Sequence, residues 1–329
     1  MSILIKSLKK EKTTKTPIWL MRQAGRHLPE YLKLKRNYNN LMEMFLDQKA
    51  IVEASLQPVE KYNLDATILF SDILIVPYIL GGQISFGEKE SGPLVNIKFQ
   101  ENNINFSKVK PIYDAIKNIK EKNQKPLIGF CGGVWSTLYY CLFNTSERKK
   151  INKNTIKEKT KKIKEMIPRF TDTTIEHSLN QIRAGIDVFQ IFESWSGLLN
   201  DEQFEEWCME PARKIFAEIK SNNTHTIGFP RGATLQNYVK YSNIKNLDCL
   251  SLDTNFDLKN LHQLNQNTCF QGNLDPQTLL KGKEELIKST RRILAEFKKY
   301  PHIFNLGHGV LPETPTTNVK KLIKEIRAQ

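Results

Sequence analysis

Two arginines flank a glycine in Arg22-Gln23-Ala24-Gly25-Arg26, directly after the apolar run Ile18–Met21. Guanidinium forks bind carboxylates or phosphates bidentately, so the segment is either an anion clamp or a loop carrying two surface arginines. Ser71-Asp72 follows the apolar run Ala66–Phe70. On spacing, Asp72 is most simply a cap for a helix starting near Ile73; pointing inward, it would handle protons or accept N–H donors. Gly132-Gly133, after Leu127–Cys131, lets backbone approach a ligand and leads to Trp135 and Tyr139-Tyr140. Trp135 reads as core, and two adjacent tyrosines on a helix point different ways. Ser194 follows Asp187–Phe192 in Glu193-Ser194-Trp195-Ser196-Gly197 and is a candidate ligand contact. The G-x-S-x-G of a nucleophile elbow is absent. Arg231-Gly232 adds a further cationic candidate, set against a surface reading. Gly307-His308-Gly309 follows Ile303–Leu306, leaving a histidine open on both sides for ligand binding or acid–base work. With no H-E-x-x-H and no clustered second ligand, a metal site is not expected. The inventory is cationic and polar, with one Asp, one His and a Tyr or two, which suits a polyanionic organic substrate and proton transfer.

Such residues matter only if the chain brings them together. Eight apolar runs recur, each followed by a turn and a helical stretch: Ile18–Met21, Ala66–Phe70, Leu127–Cys131, Asp187–Phe192, Thr226–Phe229, Asp248–Leu252, Thr268–Gln271 and Ile303–Leu306. They are near-continuous rather than alternating, as strands covered on both faces must be. Asp47 is placed to cap a helix running through Val59, and Asp201 to cap another. A third helical stretch spans about Thr155 to Ala184, with a break expected near Pro168, and Thr316–Ala328 forms a last one. Strand, loop and helix repeated about eight times predict an α/β protein, a single (β/α)8 TIM-type barrel forming one domain over residues 1–329. In that fold functional groups follow the strand C-termini, where the candidates lie. An open doubly wound sheet is the runner-up, but neither G-x-G-x-x-G after the first strand nor a P-loop is present. Gly82 to Lys98 reads as an inserted hairpin or arm.

Composition narrows the function classes. The 329 residues carry 49 Lys+Arg against 35 Asp+Glu, a formal charge of +14, with 40% hydrophobic residues. Nine of the basic residues fall in Glu147–Glu165, where no aromatics interleave them as stacking platforms for nucleic acid, so a solvated helical face is expected. The longest apolar stretch, Ile73–Leu80, is far short of the ~20 residues of a membrane span. Met1–Lys15 lacks the pattern of a secretory signal. The five cysteines form no C-x-x-C or C-x-C; Cys131, Cys249 and Cys269 lie in apolar runs and should be buried thiols. A cytoplasmic protein that binds neither nucleic acid nor membrane is expected.

Several blocks together resemble the uroporphyrinogen decarboxylase family. They are Pro17–Tyr31, Phe70-Ser71-Asp72-Ile73-Leu74, Gly129-Phe130-Cys131-Gly132, Phe192–Gly197, Gln271–Pro276 and Phe304–Gly309, in the family's order. The resemblance implies a (β/α)8 barrel, usually a homodimer with facing clefts. It implies an enzyme, a carboxy-lyase, that converts the four acetate arms of uroporphyrinogen to methyls on the route to heme, without metal or organic cofactor. Carried over by position, Arg22 and Arg26 bind carboxylates, and the segment including Gln23, Ala24 and Gly25 lines the substrate site. Asp72 becomes the central carboxylate, accepting pyrrole N–H groups and stabilising a protonated pyrrole, which displaces the simple cap reading. Tyr140, Ser194 and His308 become polar contacts to substrate. His27 stands where Tyr is common, and Gly133-Val134 where a small residue and Pro are. The corrinoid-linked methyltransferases of the same fold need a thiolate/His zinc site, whereas Cys249 and Cys269 are isolated in this sequence.

Overall fold

The structure is a computed structural model and describes residues 1–87, 92–97 and 104–328. The chain forms β1 (Thr67–Ile68), β2 (Gln83–Phe86), β3 (Pro93–Asn96), β4 (Leu127–Gly132), β5 (Val188–Glu193), β6 (His225–Pro230), β7 (Cys249–Ser251), β8 (Cys269–Gln271) and β9 (His302–Ile303). β2 and β3 are an antiparallel hairpin within the stretch read as an arm; Lys98 lies outside the described residues. The other seven strands make one parallel sheet in the order β1-β4-β5-β6-β7-β8-β9.

Seven of the eight apolar runs are therefore strands of one sheet. The eighth, Ile18–Met21, touches it without a regular ladder. Ile18 bridges Phe304 in parallel, and the Phe304 N–H donates to Pro17 O at 2.8 Å. On its other side Asp65 N–H donates to Ile18 O at 2.9 Å, while Ile18 N–H donates to the Asp65 carboxylate at 2.7 Å. A side chain thus replaces a ladder carbonyl, and the regular pattern stops there.

Alternate residues divide between two cores. One face gathers Trp19, Met21, Ile68, Ile128, Phe130, Val188, Ile227, Phe229, Cys249, Cys269 and Ile303 into a single cluster, so the sheet curls with this face inside. Leu4 and Leu8 of the helix Ile3–Leu8 join the same cluster and plug the interior. Each such fully buried side chain stabilises the fold by about 1.5–3 kcal/mol. The opposite face, with Leu127, Phe189, Ile191, Leu250, Phe270 and Phe304, packs under the helices. Buried polar groups inside the curl pair with one another: Trp19 Nε1–H donates to Gln271 Oε1 at 2.9 Å, and Gln271 Nε2–H to Ser251 Oγ at 3.0 Å.

The helix signals hold in part. Asp47 caps Gln48–Tyr62 by accepting from Lys49 N and Ala50 N. The last helix is Thr316–Arg327. Asp201 is not a cap: Asn200 is, in a reciprocal capping box with Gln203, leaving Asp201 in the first turn. Pro168 does not break its helix either. Thr160–Ala184 runs through it, and the break falls at Lys159, after a separate helix Lys153–Glu158. Ile163, Met166 and Phe170 keep one buried stripe across the proline, and that packing holds the turn together. Among the described residues no helix is long and apolar enough to cross a membrane.

Candidate active site

The arginine segment is fixed by backbone contacts rather than by its charges. Gln23 is buried, and its side chain is used at both ends: Oε1 accepts from Leu20 N at 3.0 Å and Nε2–H donates to Ala66 O at 3.1 Å. Met21 N–H donates to Asn305 Oδ1 at 2.9 Å, and Val310 N–H to Met21 O at 2.9 Å. This ties the first run to the last. Arg22 is held at φ 58°, in the left-handed region that non-glycine residues seldom occupy. Gly25 is needed because a Cβ there would lie 2.9 Å from the Arg22 carbonyl oxygen. The turn therefore projects Arg22 and Arg26 outward, both exposed, while Gln23 is a peg and Ala24 packs on the outer core.

Asp72 is not the cap expected on spacing: Leu74 stands at the N-cap position of the next helix, with no side-chain cap bond, and Asp72 closes the turn before it. Its Oδ1 accepts from Leu74 N at 2.9 Å, in the turn that opens the helix Ile75–Ile79. No partner for Oδ2 exists among the described residues. Burial pushes the Asp72 carboxyl above the usual carboxylate range; the Leu74 N–H and the nearby Arg22 charge pull it back. Tyr140 is the outward member of the tyrosine pair and Tyr139 the buried one. Burial raises the Tyr140 phenol, with the Asp72 charge acting in the same direction and Arg22 against it. Arg22, Asp72 and Tyr140 are therefore near enough for their charges to act on one another.

His308 joins them from the end of the sheet. Burial lowers its pKa to about 4, helped by the charges of Arg231 and Arg22, so the imidazole is neutral at pH 7. Arg231 Nη1–H reaches Ser194 O at 3.4 Å, which brings Ser194 into the group. The structure gathers Arg22, Asp72, Tyr140, Ser194, Arg231 and His308. Arg26 sits aside, its charge felt at Tyr31, whose phenol burial pushes up to about 12. Among the described residues none of Arg22, Arg26 and Arg231 has a carboxylate partner. The glycines around His308 serve its neighbours: a Cβ on Gly307 would strike Thr254 N, and one on Gly309 would lie 2.7 Å from Arg22 Cγ. Replacing Gly309 by Ala should therefore displace the Arg22 side chain while leaving the fold in place. The expected result is a tenfold or larger loss of kcat/KM with an unchanged melting temperature; wild-type kcat/KM would refute it.

Glu193, the last residue of β5, does not stand out by sequence. It is buried, and its Oε1 accepts from Ser136 N at 2.6 Å at the start of the helix Val134–Leu142 that carries Tyr140. Burial raises its pKa to about 7, against hydrogen bonds from Ser136 and Trp135. Trp195 N–H donates to Ser136 Oγ at 3.1 Å, and Trp135 Nε1–H to Trp195 O at 2.9 Å. The Tyr140 helix is thus locked to the end of β5. Gly133 follows from this arrangement, since a Cβ would lie 2.9 Å from Glu193 Oε1 and nearer still to Oε2. The signal available in sequence was an acid beginning Glu193-Ser194-Trp195 just after a strand.

The block Gln271–Pro276 is structural: Asn273 Nδ2–H donates to Asp253 O at 2.9 Å and Phe256 O at 3.0 Å, and Asp275 caps Pro276–Lys281. His27 is buried and stacks on Tyr62 with centroids 6.1 Å apart. Cys131, Cys249 and Cys269 are buried thiols as expected. The described residues contain no group of three or more His, Cys, Asp or Glu arranged to hold a metal ion.

The family description Uroporphyrinogen decarboxylase (URO-D) matches residues 1–329. A uroporphyrinogen decarboxylase of Rickettsia africae (strain ESF-5) is 39% identical over 329 residues, spanning 97% of this chain and 94% of its own. One of Orientia tsutsugamushi (strain Ikeda) is 38% identical over 338 residues, spanning 99% and 98%. Among solved structures, a methyltransferase from Methanosarcina mazei is similar with TM-score 0.80 at 20% identity, over 99% of this chain and 97% of its own. A B12-independent methionine synthase from Shewanella sp. W3-18-1 gives TM-score 0.58 at 12% identity, over 85% of each. At such identities the likeness is one of fold alone.

Proposed function

The chain belongs to the uroporphyrinogen decarboxylase family, and from that premise we propose that it removes carbon dioxide from the four acetate arms of uroporphyrinogen III, giving coproporphyrinogen III in heme biosynthesis. The observation that carries this reading is the convergence of Arg22, Arg231 and neutral His308 on a space bounded by Asp72 and Tyr140. Arginines without acidic partners suit a substrate rich in carboxylates. A single half-buried carboxylate among them suits pyrrole N–H groups.

The chemistry follows from where charge develops. When the acetate C–C bond breaks, its electron pair needs a sink. Protonation of the pyrrole ring at carbon makes that sink, and the pair released with carbon dioxide neutralises it. A proton added to the resulting exocyclic carbon, with one returned from the ring, leaves a methyl. Asp72 Oδ2 accepts the pyrrole N–H and stabilises the ring cation. A fixed charge of this kind contributes about 3–4 kcal/mol to the transition state. Arg22, rather than Arg26, orients the departing acetate, because it is the arginine whose charge is felt at Asp72. Tyr140, Ser194 and His308 donate to or accept from the other arms, with Gln23, Ala24 and Gly25 forming the wall that carries Arg22.

Ring protonation supplies the electron sink, so the reaction is written without metal or cofactor. We propose also that residues 1–329 are one domain and that the curled sheet closes as an eight-stranded barrel through Ile18–Met21. The contacts of Ile18 to Phe304 and to Asp65 support closure. A homodimer with facing clefts, working in the cytoplasm, completes the proposal; five free cysteines fit a reducing compartment. The test is anaerobic incubation of the purified protein with uroporphyrinogen III, without added metal. Chromatography of the oxidised porphyrins should show the four-carboxylate product, and unchanged substrate with folded protein would refute the assignment.

A further inference from the structure

Beside the site just described lies a second space, a cavity of about 330 Å³ between β3 and the end of the Tyr140 helix. Leu94, Val95, Tyr140, Asn144, Arg148 and Lys159 are among the residues that line it. Its two cations differ. Lys159 is neutralised by Glu147, Nζ to Oε1 2.6 Å. Arg148 is half-buried, its Nη2–H donates to Thr145 Oγ1 at 3.2 Å, and no carboxylate pairs with it among the described residues. Several other half-buried cations do have acidic partners, as in Lys120–Asp187, Lys220–Asp248 and Arg327–Asp65, whereas Arg231 of the site above shares the unpaired state of Arg148. The Arg148 guanidinium carbon stands 5.1 Å from the centroid of the Tyr140 ring. A guanidinium stacked on an aromatic face keeps its in-plane N–H fork free for a planar oxyanion. Tyr140 lines this cavity, and the charges of Asp72 and Arg22 reach it as well as that of Arg148.

We propose that Arg148 and this cavity form a subsite for a carboxylate arm of the substrate other than the one losing carbon dioxide. The inference rests on the functional reading above. A macrocycle seated against Asp72 carries arms in several directions, and one passing Tyr140 meets the Arg148 fork. The subsite contributes binding before and during the reaction alike, so its loss falls mainly on KM.

Steady-state kinetics with the full chain and anaerobic uroporphyrinogen III test it. Arg148→Gln should raise KM about tenfold, with a smaller effect on kcat, as expected for one charge-assisted contact. Val95→Trp, which fills the cavity from the partly exposed hairpin without touching the core, should raise KM severalfold. It decides the matter if Arg148→Gln fails to fold. Wild-type enzyme that turns over while both variants keep KM within twofold would overturn the subsite alone. Wild-type enzyme inert towards uroporphyrinogen III would overturn the functional reading, and this inference with it.

Discussion

Asp72→Asn should lower turnover of uroporphyrinogen III by roughly 10²- to 10³-fold with the protein still folded. The substitution separates the two uses of this side chain. Oδ1 accepts from Leu74 N at 2.9 Å and holds the turn before the helix Ile75–Ile79. An asparagine keeps that carbonyl acceptor, so the turn survives. What it removes is the charge at Oδ2, replaced by an N–H₂ that would oppose both the pyrrole N–H and the ring cation. Transition-state stabilisation is lost while binding through Arg22, Arg231 and Tyr140 stays, so the effect should fall on kcat more than on KM. Single-turnover rates, with circular dichroism as the control for folding, check it. Turnover within tenfold of wild type would remove Asp72 from the chemistry and leave only its part in the turn.

The melting temperature should fall by about 6 °C between pH 7 and pH 5. Burial holds four histidines below their ordinary value: His27, His302 and His308 at about 4, and His177 at about 3. Their surroundings are packed. His177 lies between Tyr113 Oη and Gln181 Nε2, each at 2.9 Å, and His302 stacks on Phe297 with centroids 3.9 Å apart. The unfolded chain protonates these rings near pH 6.5, where the native state does not, so stability is lost as pH falls from 6.5 towards 4. Glu193, raised to about 7, and Asp72, also raised, act with opposite sign, because the native state takes up their protons first. Four histidines outweigh two carboxyls, and the net loss is roughly 4 kcal/mol by pH 5, a large share of the stability of an ordinary domain. Thermal melts across this range check the sign, and a melting temperature equal or higher at pH 5 would show that these rings are protonated in the native state.

Much of the protein is legible in its sequence. Seven apolar runs became strands of one parallel sheet because burial on both faces demands unbroken hydrophobicity, and that demand is written locally. Asp47 as a cap, Trp135 as core and the hairpin near residue 83 were likewise local matters of turn chemistry and side-chain size. Arg22, Asp72, Tyr140, Ser194 and His308 stood out by type and by their place after such runs, and the family blocks gave them roles. Where the sequence misled, a neighbouring residue or the burial of a helix face decided. Asn200 took the cap expected of Asp201, and packing carried a helix through Pro168.

Only the tertiary structure decided which candidates share one space. Chain spacing cannot tell that Arg22 lies beside Asp72 and His308 while Arg26, four residues on, is turned towards Tyr31. Nor can it tell that Gln23 is a buried peg, that Gly309 leaves room for Arg22, or that Glu193 locks the Tyr140 helix in place. Residue types and periodicity report what a segment needs from its immediate surroundings, which determined the strands, the caps and the chemical inventory. The field at a site is the sum over groups far apart in sequence, and their distances exist only once the sheet has curled.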